Sequence, residues 1–277
     1  MITRRQLDIV EHLAIRYEVE VGELSDLLDV SPSTIRRELR LMEREGLVVR
    51  THGAARLRVP IHYDPPYSQR AARQLDEKRA IALAAMQLIS PGMILSLMGG
   101  TTCTRLARLL RYVEDLTIVT NAVNIAVELY GQSNKRVMVT GGTLNDNSYE
   151  LIGSQTISSL GNVHCEVAII GASGLSVGYG LSMSDEPEAA VGRALMGSAE
   201  RTIVLADHTK LGVRGLARVC PLDQVHTLVT DSQADLEKVQ PFVRAGLEVV
   251  VADPSPMEED TTLDGDDSFL DGGMPDI

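Results

Sequence analysis

Aromatic side chains are scarce in this chain of 277 residues, which has no Trp, two Phe and seven Tyr. Proteins that bind single-stranded nucleic acids stack the bases on aromatic side chains, so the composition disfavours that class of function. The sequence also has no apolar run of membrane-spanning length, and its first residues carry no apolar segment typical of a secretory signal. We therefore expect a cytoplasmic protein with no membrane partner.

Cysteine is rare as well. Cys103, Cys165 and Cys220 are far apart in the sequence and odd in number, whereas disulfide frameworks and cysteine-based metal sites need paired or closely spaced cysteines. We expect reduced thiols, no metal site and no cofactor.

Basic residues are fewer than acidic ones, and the resulting formal net charge of −12 argues against binding to nucleic acid. The charge is unevenly distributed along the chain. Residues 253–277 contain nine acidic residues and no Lys or Arg, and their low apolar content predicts an acidic, disordered tail. Residues 31–58, by contrast, carry a net charge of +4, which is the sign that DNA attracts.

A helix with one basic face is predicted from Ser31 onwards. Ser31 is a typical N-cap residue, and Pro32 suits the first helical position because no N–H is needed there. At about 100° per residue, the apolar side holds Ile35, Leu39 and Met42, and the opposite side holds Ser33, Arg37, Arg40 and Arg44. Taken alone, such a face is more typical of a solvated helix, although guanidinium groups also bind phosphate oxygens and the O6/N7 edge of guanine.

The flanking residues favour the DNA-binding interpretation. Two amphipathic helices are predicted upstream, from Arg4 to about Tyr17 and from Val21 to about Leu28, followed by a tight turn. A short helix, a turn and a basic helix form a helix-turn-helix, whose second helix enters the major groove of DNA. Gly46 ends the basic helix, and two predicted strands, 47–50 and 55–59, form a small wing after it.

We predict that residues 1–59 form this winged helix-turn-helix domain and that residues 60–75 form a linker. The predicted contacts to a double-stranded DNA operator are Ser31, Ser33, Thr34, Arg36, Arg37, Arg40, Arg44, Arg50, His52 and Arg56.

Residues 76–252 alternate between short apolar runs and helical segments, which is typical of an α/β domain with a mostly parallel sheet. Ligands bind such sheets at the carboxyl ends of the strands. Glycine, hydroxyl or charged residues follow several predicted strands and suit a phosphate, although each turn alone is equally typical of a structural connection. The predicted effector contacts are Gly99, Gly100, Thr101, Thr102, Cys103, Asn121, Gly141, Gly142, Asp207 and Lys210.

The chain resembles the DeoR/GlpR family of bacterial transcription regulators over about residues 3–252. The matching segments are Val21–Leu24, Val30–Ser31, Thr34–Leu39, Glu45–Gly46, Arg50–Ala54, Arg70, Glu77–Lys78, Ile81–Ala82, Gly100–Thr102, Val119–Asn121, Gly141–Gly142, Ile170–Gly174 and Leu205–Lys210. The resemblance implies a winged helix-turn-helix joined to a sensor domain related to ribose-5-phosphate isomerase. It also implies a repressor of sugar or carbohydrate metabolism genes that a phosphorylated sugar or related metabolite controls. The resemblance further implies a homodimer or a higher homo-oligomer.

The sequence departs from the family pattern where Met98 replaces the usual Asp, and where Ala190 and Gly192 replace the usual Glu and Lys. These replacements leave open a different phosphorylated effector, or a constitutive DNA binder with a vestigial sensor. A phosphosugar isomerase-like enzyme is a further alternative, with Asp185, Glu186 and Glu188 as candidate acids or bases. The same acids equally suit the start of a helix, so we expect no catalytic residues and a function that is not enzymatic.

Overall fold

The computed structural model describes residues 3–15, 19–51, 53–57 and 65–253. Its N-terminal unit contains three helices, α1 (Arg4–Ile15), α2 (Val21–Leu27) and α3 (Pro32–Arg44). The unit also contains three short strands, β1 (Val19–Glu20), β2 (Val48–Arg50) and β3 (Ala54–Leu57), in the sheet order β1-β3-β2. The predicted winged helix-turn-helix architecture is therefore confirmed, and β1 adds a strand that the sequence patterns did not predict.

Helix α3 begins and ends where its local chemistry predicts. The Ser31 hydroxyl accepts a hydrogen bond from the Thr34 N–H at 3.3 Å, and Pro32 occupies the first turn. Gly46 follows the helix with a φ of +75°, which an L side chain adopts only with strain. The apolar side of α3 packs into one core with α1, α2 and the wing, formed by Ile9, Leu13, Val19, Val21, Leu24, Ile35, Leu39, Met42, Val48 and Ala55.

The C-terminal unit is built on a seven-stranded parallel sheet in the order β15-β14-β12-β9-β4-β5-β6. These strands are β4 (Ile94–Leu97), β5 (Thr117–Thr120), β6 (Arg136–Val139), β9 (Cys165–Gly171), β12 (Ala199–Leu205), β14 (Thr227–Asp231) and β15 (Glu248–Ala252). Alternate residues of β9 enter different cores, since Val167 and Ile169 face one apolar cluster and Ala168 and Ile170 face the other. Both faces of the sheet are thus covered, as the unbroken apolar runs predict.

Helices and antiparallel hairpins complete this unit. The helices are α4 (Tyr67–Ala71), α5 (Leu75–Met86), α6 (Thr101–Leu110), α7 (Val123–Leu129), α8 (Ser154–Leu160), α9 (Glu186–Gly197) and α10 (Leu236–Arg244). One hairpin pairs β7 (Thr143–Asn145) with β8 (Glu150–Ile152), and a second small sheet contains β10 (Gly174–Ser176), β11 (Gly180–Met183) and β13 (Ala217–Cys220). Among the described helices, none has the length and apolar character needed to cross a membrane.

Helix α4 lies within the segment predicted as a linker. Residues 65–74 contain this five-residue helix and pack against the C-terminal unit, where α4 contacts α6. No residue of α4 is buried, so the segment has no apolar periodicity from which a helix could be predicted. The described part of the predicted linker therefore belongs structurally to the C-terminal unit.

We expect Leu39→Ala to unfold the N-terminal unit while the C-terminal unit stays folded. Leu39 is fully buried, and such a truncation costs about 2–5 kcal/mol, which is comparable with the whole stability of so small a unit. The matched control is Leu41→Ala on the same helix, where the side chain is 41% exposed. Urea titration with hydrogen exchange of peptides within residues 32–50 measures this unit separately, and equal losses in the two variants would contradict the packing described.

Candidate DNA interface and effector cleft

The basic side of α3 forms one continuous exposed surface. Ser33, Arg37, Arg40 and Arg44 line a shallow groove along the helix together with Thr34. Arg36 is exposed beside the groove, and Ser31 is exposed at the start of the helix. The structure thus brings together seven of the ten predicted DNA contacts on one helix.

Two of the arginines are restrained by hydrogen bonds. The Arg40 Nε donates to the Arg36 carbonyl at 3.2 Å, which fixes the side chain along the helix. The Arg50 Nε donates to Glu43 Oε2 at 2.9 Å. This pair is exposed and therefore weak, but it holds the Arg50 guanidinium against α3. The wing arginine is consequently part of the α3 surface rather than a separate arm.

The remaining predicted DNA contacts are less well placed or lie outside the description. Arg56 on β3 is half-buried and already has an interaction partner. His52 lies outside the described residues, as does Arg58 of the predicted wing. A basic residue that sequence reasoning missed, Arg5 of α1, lines the same groove and approaches Glu38 at 3.8 Å.

The C-terminal unit has a cleft of about 860 Å³ at the carboxyl ends of its central strands. Its walls include the turns after β4, β9 and β12, at Met98–Gly100, Gly171–Ser173 and Leu205–Asp207. The strand order reverses between β4 and β9, because the chain moves outward in opposite directions from this pair. Crevices form at such a reversal, and this volume is within the range of small-molecule sites.

The turn after β4 presents backbone donors to the cleft. Gly100 precedes α6 with a φ of +108° and leaves the helix start without a side-chain cap. The N–H groups of Thr101, Thr102 and Cys103 belong to the first helical turn, which has no intrahelical acceptors for them. Gly100 to Cys103 line the cleft. The positive end of the α6 dipole and these donors together suit an anion such as a phosphate.

A buried lysine that sequence reasoning did not select lies in the same cleft. Lys78 of α5 is 4% exposed, and its Nζ donates to the Arg73 carbonyl at 2.6 Å and to the Arg70 carbonyl. Burial lowers the pKa of Lys78 to about 8, while Asp207 raises it and the positive charges of Lys210, Arg105 and Arg70 lower it. Cations therefore outnumber acids around Lys78, which favours an anionic ligand there.

Asp207 and Lys210, two of the predicted effector contacts, both line the cleft, and the structure connects them. Asp207 is 3% exposed and accepts hydrogen bonds from the N–H of Thr209, at 3.0 Å, and from its hydroxyl. These bonds cap the short 3-10 turn His208–Lys210. Asp207 therefore holds the turn that carries Lys210 into the cleft, in addition to facing Lys78.

Three predicted effector contacts do not line the cleft. Gly141 and Gly142 follow β6, which is the outermost strand on the far side of β5, so the sheet order separates them from the reversal point. Asn121 is fully buried, with its Oδ1 accepting from the Gly99 N–H at 3.3 Å and its Nδ2 donating to Glu150 Oε2 at 3.1 Å. Asn121 therefore supports the turn after β4 from within the core.

Cys103 lines the cleft, but its thiol is fully buried in the apolar core. Burial raises the pKa of Cys103 to about 12, and the nearby Glu150 raises it further. The side chain is therefore a protonated, packed thiol, and only the backbone N–H of Cys103 suits an anion.

Two buried carboxylates that the sequence analysis did not select as effector contacts also line the cleft. Glu150 lies so close to Gly99 that a Cβ at that position would come within 2.6 Å of its carboxylate carbon. Glu188 accepts from Asn145 Nδ2 at 3.2 Å. Both are 3% exposed and line the cleft, so they can accept hydrogen bonds from ligand hydroxyl groups.

Of the three acids considered for an isomerase, Glu188 lines the cleft, and the other two have roles at the start of α9. Asp185 accepts from the Glu188 N–H at 2.8 Å as an N-cap, and Glu186 pairs with Arg193. Two of the three family departures are neighbours, since a Cβ at Gly192 would lie 3.8 Å from the Met98 sulfur. Within the described ranges, no cluster of His, Cys, Asp and Glu could hold a metal ion.

Two family models match the chain in the order of its two units. The model described as "DeoR-like helix-turn-helix domain" matches residues 5–59. The model described as "DeoR C terminal sensor domain" matches residues 73–232.

Named regulators align with nearly all of the chain. The HTH-type transcriptional regulator GolR of Listeria innocua is 31% identical over 249 residues, covering 90% of this chain and 98% of that protein. The regulator GlpR of Haloferax volcanii is 32% identical, covering 89% and 96%. The glycerol-3-phosphate regulon repressor of Escherichia coli K12 is 29% identical, covering 86% and 94%.

Solved structures resemble about half of the chain, and only distantly. Ribose 5-phosphate isomerase A of Methanocaldococcus jannaschii is 15% identical, covers 49% of this chain and 54% of its own, and has a TM-score of 0.37. The eIF2B delta protein of Chaetomium thermophilum is 15% identical, covers 50% of each chain and has a TM-score of 0.38. At these values the likeness has no bearing on function.

The helix-turn-helix and sensor models together span most of the chain, and regulators more than 30% identical to it align over almost their whole length. The chain belongs to the DeoR family of transcriptional regulators.

Proposed function

We propose that the protein is a sequence-specific repressor of sugar or carbohydrate metabolism genes, and that a phosphorylated sugar or related metabolite in the cleft controls its affinity for the operator. The proposal rests on one observation, which is that the same chain has two charged sites. One is the basic surface of α3, and the other is a cleft lined by the uncapped N-terminus of α6, by the buried Lys78 and by Lys210. The first feature suits DNA and the second suits a phosphate.

On the DNA side, α3 enters the major groove with its exposed face towards the bases. Arg37 and Arg40 lie centrally on that face, where guanidinium groups can bind guanine edges. Ser31 and Arg44 lie at the two ends of the helix and suit phosphate contacts. Two such helices in a homodimer would read half-sites about one helical turn apart, or a multiple of that.

On the effector side, the N–H groups of Thr101 to Cys103 would bind the phosphate oxygens. Lys210 and Lys78 would neutralise its charge, and the buried carboxylates of Glu150 and Glu188 would accept from hydroxyl groups of the sugar. The glycerol-3-phosphate regulon repressor of Escherichia coli carries a phosphorylated metabolite in its name. Because that repressor and this chain are 29% identical, its name supports a ligand of the same class for this chain.

Arg37→Ala is expected to weaken binding to an operator duplex by about 10- to 100-fold, because a guanidinium contact to a base edge discriminates by about 1–3 kcal/mol. The duplex is obtained by selection from a random pool with the full-length protein, and the affinity is measured by fluorescence anisotropy at fixed salt. Arg244→Ala is the matched control, since Arg244 is exposed on α10. Unchanged affinity in the Arg37 variant would contradict the assigned interface.

A phosphorylated sugar is expected to raise the melting temperature of the C-terminal unit. A ligand at 100 times its Kd adds about 2.7 kcal/mol of stability. Scanning fluorimetry with ribose 5-phosphate, glucose 6-phosphate and glycerol 3-phosphate tests this, with ribose, glucose and glycerol as controls. Lys210→Ala should reduce the shift, whereas Lys238→Ala, at an exposed position on α10, should preserve it. Equal shifts in the two variants would exclude Lys210 from the site.

The affinity for the phosphorylated ligand is expected to fall as pH rises through about 8. The pKa of Lys78 is lowered to about 8 by burial, so its ammonium is charged below that pH and neutral above it, and an anion binds the charged form better. Above pH 7.5 the phosphate is already a dianion, so the change reports on the protein. Calorimetric titrations from pH 7.5 to 9.5 measure it. Lys78→Arg, which keeps its charge throughout, should flatten the profile, and a flat wild-type profile would refute the prediction.

A further inference from the structure

The segment 65–74, here called the strap, forms one wall of the effector cleft. Its cleft-lining residues are Pro65, Gln69, Arg70, Ala72, Arg73 and Gln74. The strap contributes no residue to either apolar core of the C-terminal unit. Elements held by few buried apolar contacts open at low free energy, so the docking of the strap depends on a small number of specific contacts.

One group of these contacts joins the strap to the turn of the β7–β8 hairpin. The Tyr67 N–H and the Arg70 Nη2 both donate to the Asn147 carbonyl, at 2.9 and 3.3 Å. The rings of Tyr67 and Tyr149 meet edge to face with centroids 5.1 Å apart. Glu150, the next residue after Tyr149, lines the cleft, so the hairpin connects the strap to the ligand site.

A second group joins the strap to α5 through Lys78. Two of the three donors of its ammonium are directed at the strap carbonyls of Arg70 and Arg73. The same ammonium faces Asp207 and lines the cleft. Lys78 therefore contacts the strap and the proposed ligand position at once.

The strap ends at a strained residue. Gln74 has φ and ψ of 46° and 50°, in the left-handed region, and it lines the cleft directly before α5. A residue with a side chain adopts this conformation only with strain. Undocking would relieve that strain. The strap stays docked because the contacts of Lys78, Asn147 and Tyr149 oppose undocking.

Charge decides the direction in which a ligand acts. Among the residues that line the cleft, five are cations, with Arg70 and Arg73 on the strap and Lys78, Lys210 and Arg214 elsewhere, and three are acids, Glu150, Glu188 and Asp207. An anion between these cations would attract the strap wall and the strand-end wall together. A ligand favours the state in which it makes more contacts, and that state is the docked one.

We propose that docking of the strap is the step through which the effector controls DNA binding. An anionic ligand docks the strap, an empty cleft lets it undock, and residues 58–64 connect it covalently to β3 of the helix-turn-helix unit. The inference rests on the proposed function, because it assumes that a phosphorylated ligand alters operator affinity. By linkage, the operator then changes ligand affinity by the same factor.

Tyr67→Ala tests the proposal, since Tyr67 fastens the strap and is not a cleft-lining residue. The probe is the sugar phosphate that gives the largest thermal shift in the wild type. In the wild type, we expect this probe to slow hydrogen exchange of the 65–74 peptide and to change operator affinity, each by about fivefold or more. In Tyr67→Ala the probe should still bind, and both responses should fall below about twofold.

Matched variants separate loss of docking from loss of folding. Tyr67→Phe keeps the ring contact and should keep the responses, as should Tyr130→Ala at a tyrosine that is 86% exposed. Tyr149→Ala removes the other ring of the pair and should reproduce the loss. The strap proposal is overturned if the probe changes hydrogen exchange and operator affinity as strongly in Tyr67→Ala and Tyr149→Ala as in the wild type. If the probe binds the wild type without changing operator affinity, the proposed function itself fails.

Discussion

The reversal of strand order between β4 and β9 is the constraint on which the rest of the C-terminal unit depends. Because the chain moves outward from this pair in opposite directions, no crossover covers the carboxyl ends of the two strands. The turns after β4, β9 and β12 therefore meet in one crevice and expose the start of α6. The charged groups, the strap and the β7–β8 hairpin all surround the opening that the reversal leaves.

Local patterns predicted much of the secondary structure. Helix α3 was predictable because a capping serine, a proline and a 3.6-residue apolar period are adjacent in the sequence. The buried parallel strands were predictable as apolar runs, and β6 at Arg136–Val139 has the predicted bounds. Strand β1 has two residues and β10 three, which is too short for an alternating pattern, so their pairing depends on tertiary contacts.

The site was only partly predictable, because strand neighbours cannot be read from chain order. Gly141 follows a strand as predicted, yet β6 lies at the sheet edge and its turn does not reach the crevice. Lys78 and Glu150 resemble solvated charges in the sequence, and only the packing of α5 and the β7–β8 hairpin buries them in the cleft. The family match at Glu77–Lys78 was the one signal that could have selected Lys78.

The burial of the thiols has a chemical consequence for the kind of signal that this regulator can receive. Cys103 and Cys220 are both buried, and burial raises their pKa values to about 12 and about 11. Oxidants and alkylating reagents attack the thiolate form of cysteine. At neutral pH, the thiolate is about one ten-thousandth or less of each of these buried thiols. Although Cys103 lies in the first turn of α6 beside the cleft, its sulfur is shielded from redox chemistry. These thiols are thereby protected from reversible oxidation, whatever the oxidising state of the surroundings.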